Sequence, residues 1–161
     1  MTINRGLTLL LLLALFGPGT PAAAAAPHLA ECGPPTDAPQ QIVGTIKKMF
    51  AAARADDLPA LLDLTTPDFY AFDGGTRLTA RSLMEIIQRL HAQGKRYEWN
   101  VTNPDVHVAC NVAWVAYVNH GSISDAVSRE DVTWLESVVL EYGNEQWRIR
   151  FFHSTRIPGA K

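Results

Sequence analysis

The chain has 161 residues, with 14 basic and 16 acidic side chains and a formal net charge of −2. That near balance, with no basic stripe, argues against nucleic acid as a partner. Two cysteines are too few for a disulfide scaffold, and the five histidines, His28, His91, His107, His120 and His153, show no zinc-ligand spacing, so no metal and no cofactor is expected.

The N-terminus carries the three-part pattern of a secretory signal peptide. Arg5 supplies the positive charge, Leu7 to Phe16 the apolar run, and Ala22 to Ala26 an A-x-A cleavage pattern. The run is too short to span a bilayer as a helix. Cleavage near Ala26 predicts a secreted or periplasmic protein with no transmembrane segment after processing. Cys32 follows Leu29-Ala30-Glu31, the start of a lipoprotein box, but Glu31 stands where a small residue belongs, so a lipid anchor is not expected. A Cys32–Cys110 disulfide would suit oxidising surroundings and would pin the leader, residues 27–38, to the body.

The remaining chain, residues 39–157, is the size of one domain with one core. Ile42, Ile46, Met49, Phe50 and Ala53 recur at helical spacing and predict a first amphipathic helix, ended by Asp56-Asp57. Pro59 suits the first turn of a short second helix through Leu64. A strand is expected over 68–72, and Asp73-Gly74-Gly75 reads as the turn that follows it, leading to a short extended piece, Thr76 to Leu78. Leu83, Ile86, Ile87 and Leu90 are the buried stripe of a third helix, capped by Ser82 with Glu85 or by Thr79, and stopped at Gly94.

From there the period becomes two. Four strands are predicted, over 96–109, 111–121, 131–142 and 145–156, with Pro104 marking a bend or an edge position. Cys110-Asn111 and Gly143-Asn144 read as tight turns, and Gly121 to Glu130 as a polar loop. Helices followed by an antiparallel run make this an α+β chain.

Pairing the last two strands about Gly143-Asn144 sets Glu136 and Trp134 on one face with Trp147, Ile149, Phe151 and His153. That more apolar face is expected to look inward, bringing Glu136 and His153 within reach of each other. Pairing about Cys110-Asn111 sets Val106 opposite Val115 and Val108 opposite Ala113, on a face that continues to Tyr117 and Asn119. The reverse facing would bury Asp105, His107 and His120, at a desolvation cost. The expected result is an aromatic-lined cavity with few polar groups, the usual make-up of a small-molecule site. Glu136 and His153 are its candidate acid–base pair. Tyr70, Tyr117, Asn119, Trp134, Trp147 and Phe151 are its candidate ligand contacts. Mutual satisfaction of a buried Glu–His pair and plain core packing of the aromatics are the structural alternatives.

Taken together, the order of elements resembles the SnoaL-like domains of the nuclear-transport-factor-2-like superfamily. The closing residues carry most of the resemblance: Trp134-Leu135-Glu136-Ser137-Val138-Val139-Leu140, then Trp147-Arg148-Ile149 and His153-Ser154-Thr155-Arg156. The resemblance implies a cone-shaped roll, a curved antiparallel sheet wrapped around the N-terminal helices, with a pocket at its wide end. It also implies a homodimer through the sheet, using Arg148, Arg150, Phe152 and Ser154. The ketosteroid isomerases of that superfamily pair a carboxylate base with an oxyanion hole of tyrosine and protonated aspartic acid. Asp73 matches the base position loosely, but no inward aspartate completes the hole. Three functions therefore compete: an exported domain binding a small apolar molecule without chemistry, a proton-transfer enzyme of isomerase, cyclase or dehydratase type, and a dimeric accessory domain with a filled cavity.

Overall fold

The computed structural model describes residues 35–158. The expected signal peptide, most of the leader and Cys32 lie outside the described residues. Three helices come first or interleave: α1 (Ala38–Arg54), α2 (Leu58–Asp63) and α3 (Ala80–Ala92). Six strands, β1 (Thr65–Asp73), β2 (Thr76–Leu78), β3 (Arg96–Ala109), β4 (Val112–Ser124), β5 (Arg129–Gly143) and β6 (Gln146–Arg156), form one sheet in the order β2-β1-β6-β5-β4-β3.

Local chemistry sets the helix ends. Pro39 sits in the first turn of α1, where its missing N–H costs nothing. Asp57 starts α2, its carboxylate accepting the Ala60 N–H at 2.9 Å. Thr79 caps α3 through a reciprocal pair with Ser82: the Ser82 N–H donates to Thr79 Oγ1 at 3.2 Å and the Thr79 N–H to Ser82 Oγ at 2.8 Å. The capping box therefore begins at Thr79 rather than at Ser82, one turn earlier than the Ser-x-x-Glu spacing suggests. The stripe of α1 is buried as expected, whereas in the stripe of α3 only Leu83 is buried and Ile86, Ile87 and Leu90 are half-buried. Ile42, Ile46, Met49 and Phe50 of α1 are buried, and α1 packs against β3 and β6.

The sheet is curved and mixed, because β1 runs parallel to β6 while every other pairing is antiparallel. Pro104 lies on β3, an edge strand, and the register shifts between Thr102 and Asp105 with Asn103 at positive φ. Val106 and Val115 are partners, as are Val108 and Ala113, so the facing of β3 and β4 follows the sequence pattern. Instead of a long polar loop, β4 and β5 continue to Ser124 and from Arg129. Asp125 closes the short connection by accepting the N–H groups of Val127 and Ser128 at 2.9 Å each.

The last hairpin departs from the expected register. Gly143 pairs with Gln146, and the turn residues are Asn144 and Glu145, both at positive φ (52° and 62°). This is the geometry of a type I′ turn, whose twist suits a hairpin. Glycine's preference for turns misplaced it by one position in the sequence reading. A β-bulge then intervenes between Val139 and Leu140 on one strand and Phe151 and Ile149 on the other, leaving Arg150 unpaired. One extra residue in β6 reverses the facing of everything after it. Phe152 and Ser154 turn inward and are buried, while Phe151 and His153 turn to the outer face. The expected Glu136–His153 pair is therefore absent, and Phe152 and Ser154 leave the surface assigned to a dimer contact.

Candidate functional site

A cavity of about 470 Å³ opens between the inner face of the sheet and the helices. Its apolar wall comes from α1 and α3. Leu83, Ile86, Ile87 and Leu90 point into it at i, i+3, i+4 and i+7, and Met49 and Phe50 face them from α1. This explains why Ile86, Ile87 and Leu90 stay half-buried although they lie on the inner stripe of their helix.

Aromatic rings form a second, continuous wall. Tyr97 stacks on Trp99 at 5.4 Å, Trp99 stacks on Phe50 at 5.4 Å, and Phe50 meets Phe152 edge-on at 6.2 Å. Trp134 closes the wall from β5. Gly121 makes this packing possible. A Cβ there would lie 1.8 Å from the Glu98 carbonyl oxygen and 3.2 Å from the Trp134 ring, so only glycine lets β3 and β4 approach so closely.

The polar end is built around Glu136, which is buried in the middle of β5. Ser154 Oγ–H donates to its Oε1 and Asn119 Nδ2–H to its Oε2, each at 3.0 Å. Asn119 is itself held, since its Oδ1 accepts the Asn100 N–H at 2.7 Å. Tyr117, the cross-strand partner of Glu136, brings its hydroxyl toward the same carboxyl but outside standard hydrogen-bond geometry. Burial pushes the Glu136 pKa up to about 7, against the opposing pull of the Asn119, Tyr117 and Ser154 donors. Burial, reinforced by the neighbouring Glu136 charge, drives the Tyr117 hydroxyl well above its ordinary value.

Asp73 reaches the same cavity from the end of β1. Gly74 and Gly75 make the turn to β2 at positive φ (56° and 77°), so Asp73 is both turn entry and cavity lining. Burial raises its pKa, while the Gly74 N–H and the charge of His153 oppose the rise. The two carboxylates sense each other, because the charge of Asp73 also raises Glu136. Arg156 is the one basic residue on the lining, and its guanidinium contacts Glu130 at the exposed rim.

Of the residues singled out in the sequence, Asp73, Glu136 and Trp134 line this cavity, with Tyr117 and Asn119 directly behind Glu136. The others go elsewhere. Tyr70 and Phe151 meet on the outer face at 5.0 Å, where Arg77 covers the Tyr70 ring. Trp147 is buried against Tyr142 and lines a separate, open groove beside α1 and α2. His153 is exposed. Cys110 is disulfide-bonded. Among the described residues, no group of three or more His, Cys, Asp or Glu side chains could hold a metal ion, and no helix is long and apolar enough to cross a membrane.

A SnoaL-like domain model matches residues 42–158, most of the chain. The chain belongs to the SnoaL-like domain family. Its fold is shared widely among solved structures. An NTF2-like protein from Cytophaga hutchinsonii aligns at 14% identity with a TM-score of 0.62, covering 74% of this chain and 98% of the other. A ketosteroid isomerase-like protein from Erwinia carotovora aligns at 14% identity with a TM-score of 0.60, covering 74% and 96%. The association domain of C. elegans CaMKII aligns at 22% identity with a TM-score of 0.59, covering 73% and 94%. At such identities these likenesses establish the fold alone. No protein of curated function matches the sequence.

Within this SnoaL-like domain, sequence reasoning missed Ser154, Phe152, Tyr97, Trp99 and Arg156 as cavity residues. A signal was present for some of them. The alternation Tyr97, Trp99, Val101 sits on odd positions and Val106, Val108 on even ones, and such a switch of parity marks a bulge.

Proposed function

We propose that this SnoaL-like domain binds a small, largely apolar molecule in the cavity between its helices and sheet. The observation that carries the reading is the cavity of about 470 Å³, with apolar and aromatic walls and a compact polar end at Glu136 and Asp73. Size and lining are those of ligand sites in general. An accessory domain with a filled cavity would have those walls in contact. Native mass spectrometry of protein isolated from its own host tests the proposal. A co-purifying organic ligand, lost when Leu83 or Ile87 is replaced by Trp to fill the cavity, supports it. Ligand-free protein that binds no apolar probe, such as an environment-sensitive naphthalene dye, refutes it.

A proton-transfer enzyme is the second reading, favoured by one observation: two carboxylates with raised pKa values share one cavity. Glu136, rather than a Glu–His pair, would then be the acid–base group, and Asp73 its partner carboxylate. Export by the N-terminal segment and a homodimer through the outer face of the sheet belong to the same proposal. In support of the dimer, the outer face exposes Phe72 (43%), Trp114 (49%) and Leu135 (52%). Arg148 and Arg150 remain candidates for that contact. Phe152 and Ser154 do not, since both point inward.

A further inference from the structure

We infer that the preferred occupant of the cavity is an amphipathic monocation, a protonated amine carried on an apolar body, held with its nitrogen between Glu136 and Asp73 and its body against α1 and α3. The inference rests on the binding function proposed above and names the ligand class.

Charge is the first ground. Two acids and one base line the cavity, and the base, Arg156, is committed to Glu130 at the rim, where both side chains are largely exposed. Nothing cationic on the lining faces Glu136. An ionised carboxylate in such surroundings lacks compensation, and an incoming ammonium supplies it through charge-assisted hydrogen bonds. The carboxylate retains room for this. Each Glu136 oxygen accepts one hydrogen bond, from Ser154 or Asn119, and a carboxylate oxygen has two lone-pair sites.

The aromatic wall is the second and independent ground. Tyr97, Trp99, Phe50, Phe152 and Trp134 line the same space as these acids, with Trp99 stacked on both Tyr97 and Phe50. Such a lining accepts the apolar body of an organic cation, and a ring face left open beside the acids attracts its charge while giving nothing comparable to an anion. A purely apolar ligand would satisfy the helices but leave the acids desolvated. An anionic ligand would meet two like charges. A cation with an apolar tail satisfies both ends of the cavity.

Proton linkage follows. The groups that bear on Glu136 are Asp73 from β1 and Tyr117 from β4, while Tyr97 from β3 and His153 and Arg156 from β6 bear on Asp73 or on each other. α1 and α3 present only apolar side chains to the cavity. A bound cation favours the ionised form of Glu136. Affinity for it must therefore rise as pH rises through the Glu136 pKa, and binding below that pKa must release a proton.

Calorimetric titration with three probes that share one chain decides the matter: octylammonium, 1-octanol and octane-1-sulfonate. At about pH 8 octylammonium should bind about tenfold or more tightly than octanol, with the sulfonate weakest, and the preference should shrink towards about pH 5.5. Glu136→Gln and, independently, Asp73→Asn should each bring octylammonium down toward octanol, with thermal melting confirming that each variant folds. Equal affinities for octanol and octylammonium at the higher pH, or tightest binding of the sulfonate, overturn the inference and leave the apolar-ligand proposal standing. Failure of all three probes to bind overturns both.

Discussion

Replacing Glu136 with Gln removes a charge from the middle of β5 and nearly nothing else. The two side chains have the same shape, and the existing partners can accommodate the amide. Asn119 Nδ2–H continues to donate to the remaining oxygen, and the Ser154 hydroxyl rotates to accept from the new Nε2 instead of donating. Asn119 keeps its bond to the Asn100 N–H without flipping. The energetic difference lies in the proton. Glu136 rises from an ordinary value of 4.5 to about 7 in the folded protein, which at 1.36 kcal/mol per pH unit amounts to about 3 kcal/mol. The sign is set by which state holds the proton more tightly, and here it is the folded one. Relative to alkaline conditions, folding is favoured by the full amount below the unfolded pKa, and that advantage is lost as pH rises through about 7. Wild-type stability should thus fall by about 3 kcal/mol from this group between about pH 4.5 and pH 8, whereas Glu136→Gln should lose that component and match or exceed wild type at the alkaline end. Urea unfolding of both proteins across that range reads the difference directly. Parallel pH profiles would refute the reasoning, because they would mean that Glu136 is solvated or compensated as well in the folded chain as in the unfolded one.

Glu136→Leu has a different outcome: it strands the Asn119 amide and the Ser154 hydroxyl, and should cost about 2–4 kcal/mol in the same unfolding assay at about pH 4.5, where the wild-type carboxyl is protonated, with the cost shrinking as pH rises through about 7. Gly121→Ala forces a Cβ onto the Glu98 carbonyl, so β3 must move away from β4; a loss of about 1–3 kcal/mol and altered Trp fluorescence are expected. Reducing the disulfide of Cys110 should lower stability by about 2–5 kcal/mol, read as a drop in melting temperature with dithiothreitol. Leu135→Glu on the outer sheet face should shift the protein towards monomer in sedimentation if that face joins two copies, and leave the charge preference of the cavity untouched.

The elements that the sequence made plain are those whose signal is periodic and uninterrupted. α1 and α3 each declare an apolar stripe of four or five residues, and β5 alternates without a break from Val132 to Leu140, so their facing could be read directly. Asp73 was legible as a turn residue because two glycines follow it. Its place in the cavity was not, since that depends on β1 lying parallel beside β6, a pairing between segments some eighty residues apart. The error at His153 has a definite origin. Phe151 and Phe152 are adjacent and equally apolar, so either could belong to the core, and parity alone could not choose between them. Arg150 resolves the choice: exposed, it pairs with Asp68 and Glu141 on the outer surface, which holds it out of the ladder and makes it the extra residue of the bulge.

That single bulge gives the site its chemical character. Had β6 continued in register with Ile149 inward, His153 rather than Ser154 would have faced Glu136. The imidazole could then have supplied the positive charge that a buried carboxylate needs, leaving the cavity electrically closed. With the bulge, Glu136 receives the neutral donors Asn119 and Ser154, with the Tyr117 hydroxyl close by, and no counter-ion, and Asp73 adds a second carboxylate within Coulomb range. Neutral hydrogen bonds offset part of the desolvation but not the charge, which is why the carboxyl holds its proton to about pH 7. A protein assembled this way spends the ionised state of Glu136 only when something cationic arrives, or when a substrate takes or gives the proton. Placing an imidazole opposite Glu136 therefore tests both functions at once. The double exchange His153→Ser with Ser154→His keeps the bulge and puts the imidazole at the inward position paired with Glu136. The Glu136 titration, followed by NMR, should then fall towards the ordinary carboxylate range, and selectivity for octylammonium over octanol should disappear. An exchanged variant that folds and still prefers the cation would show that the cavity's charge preference does not come from an uncompensated Glu136.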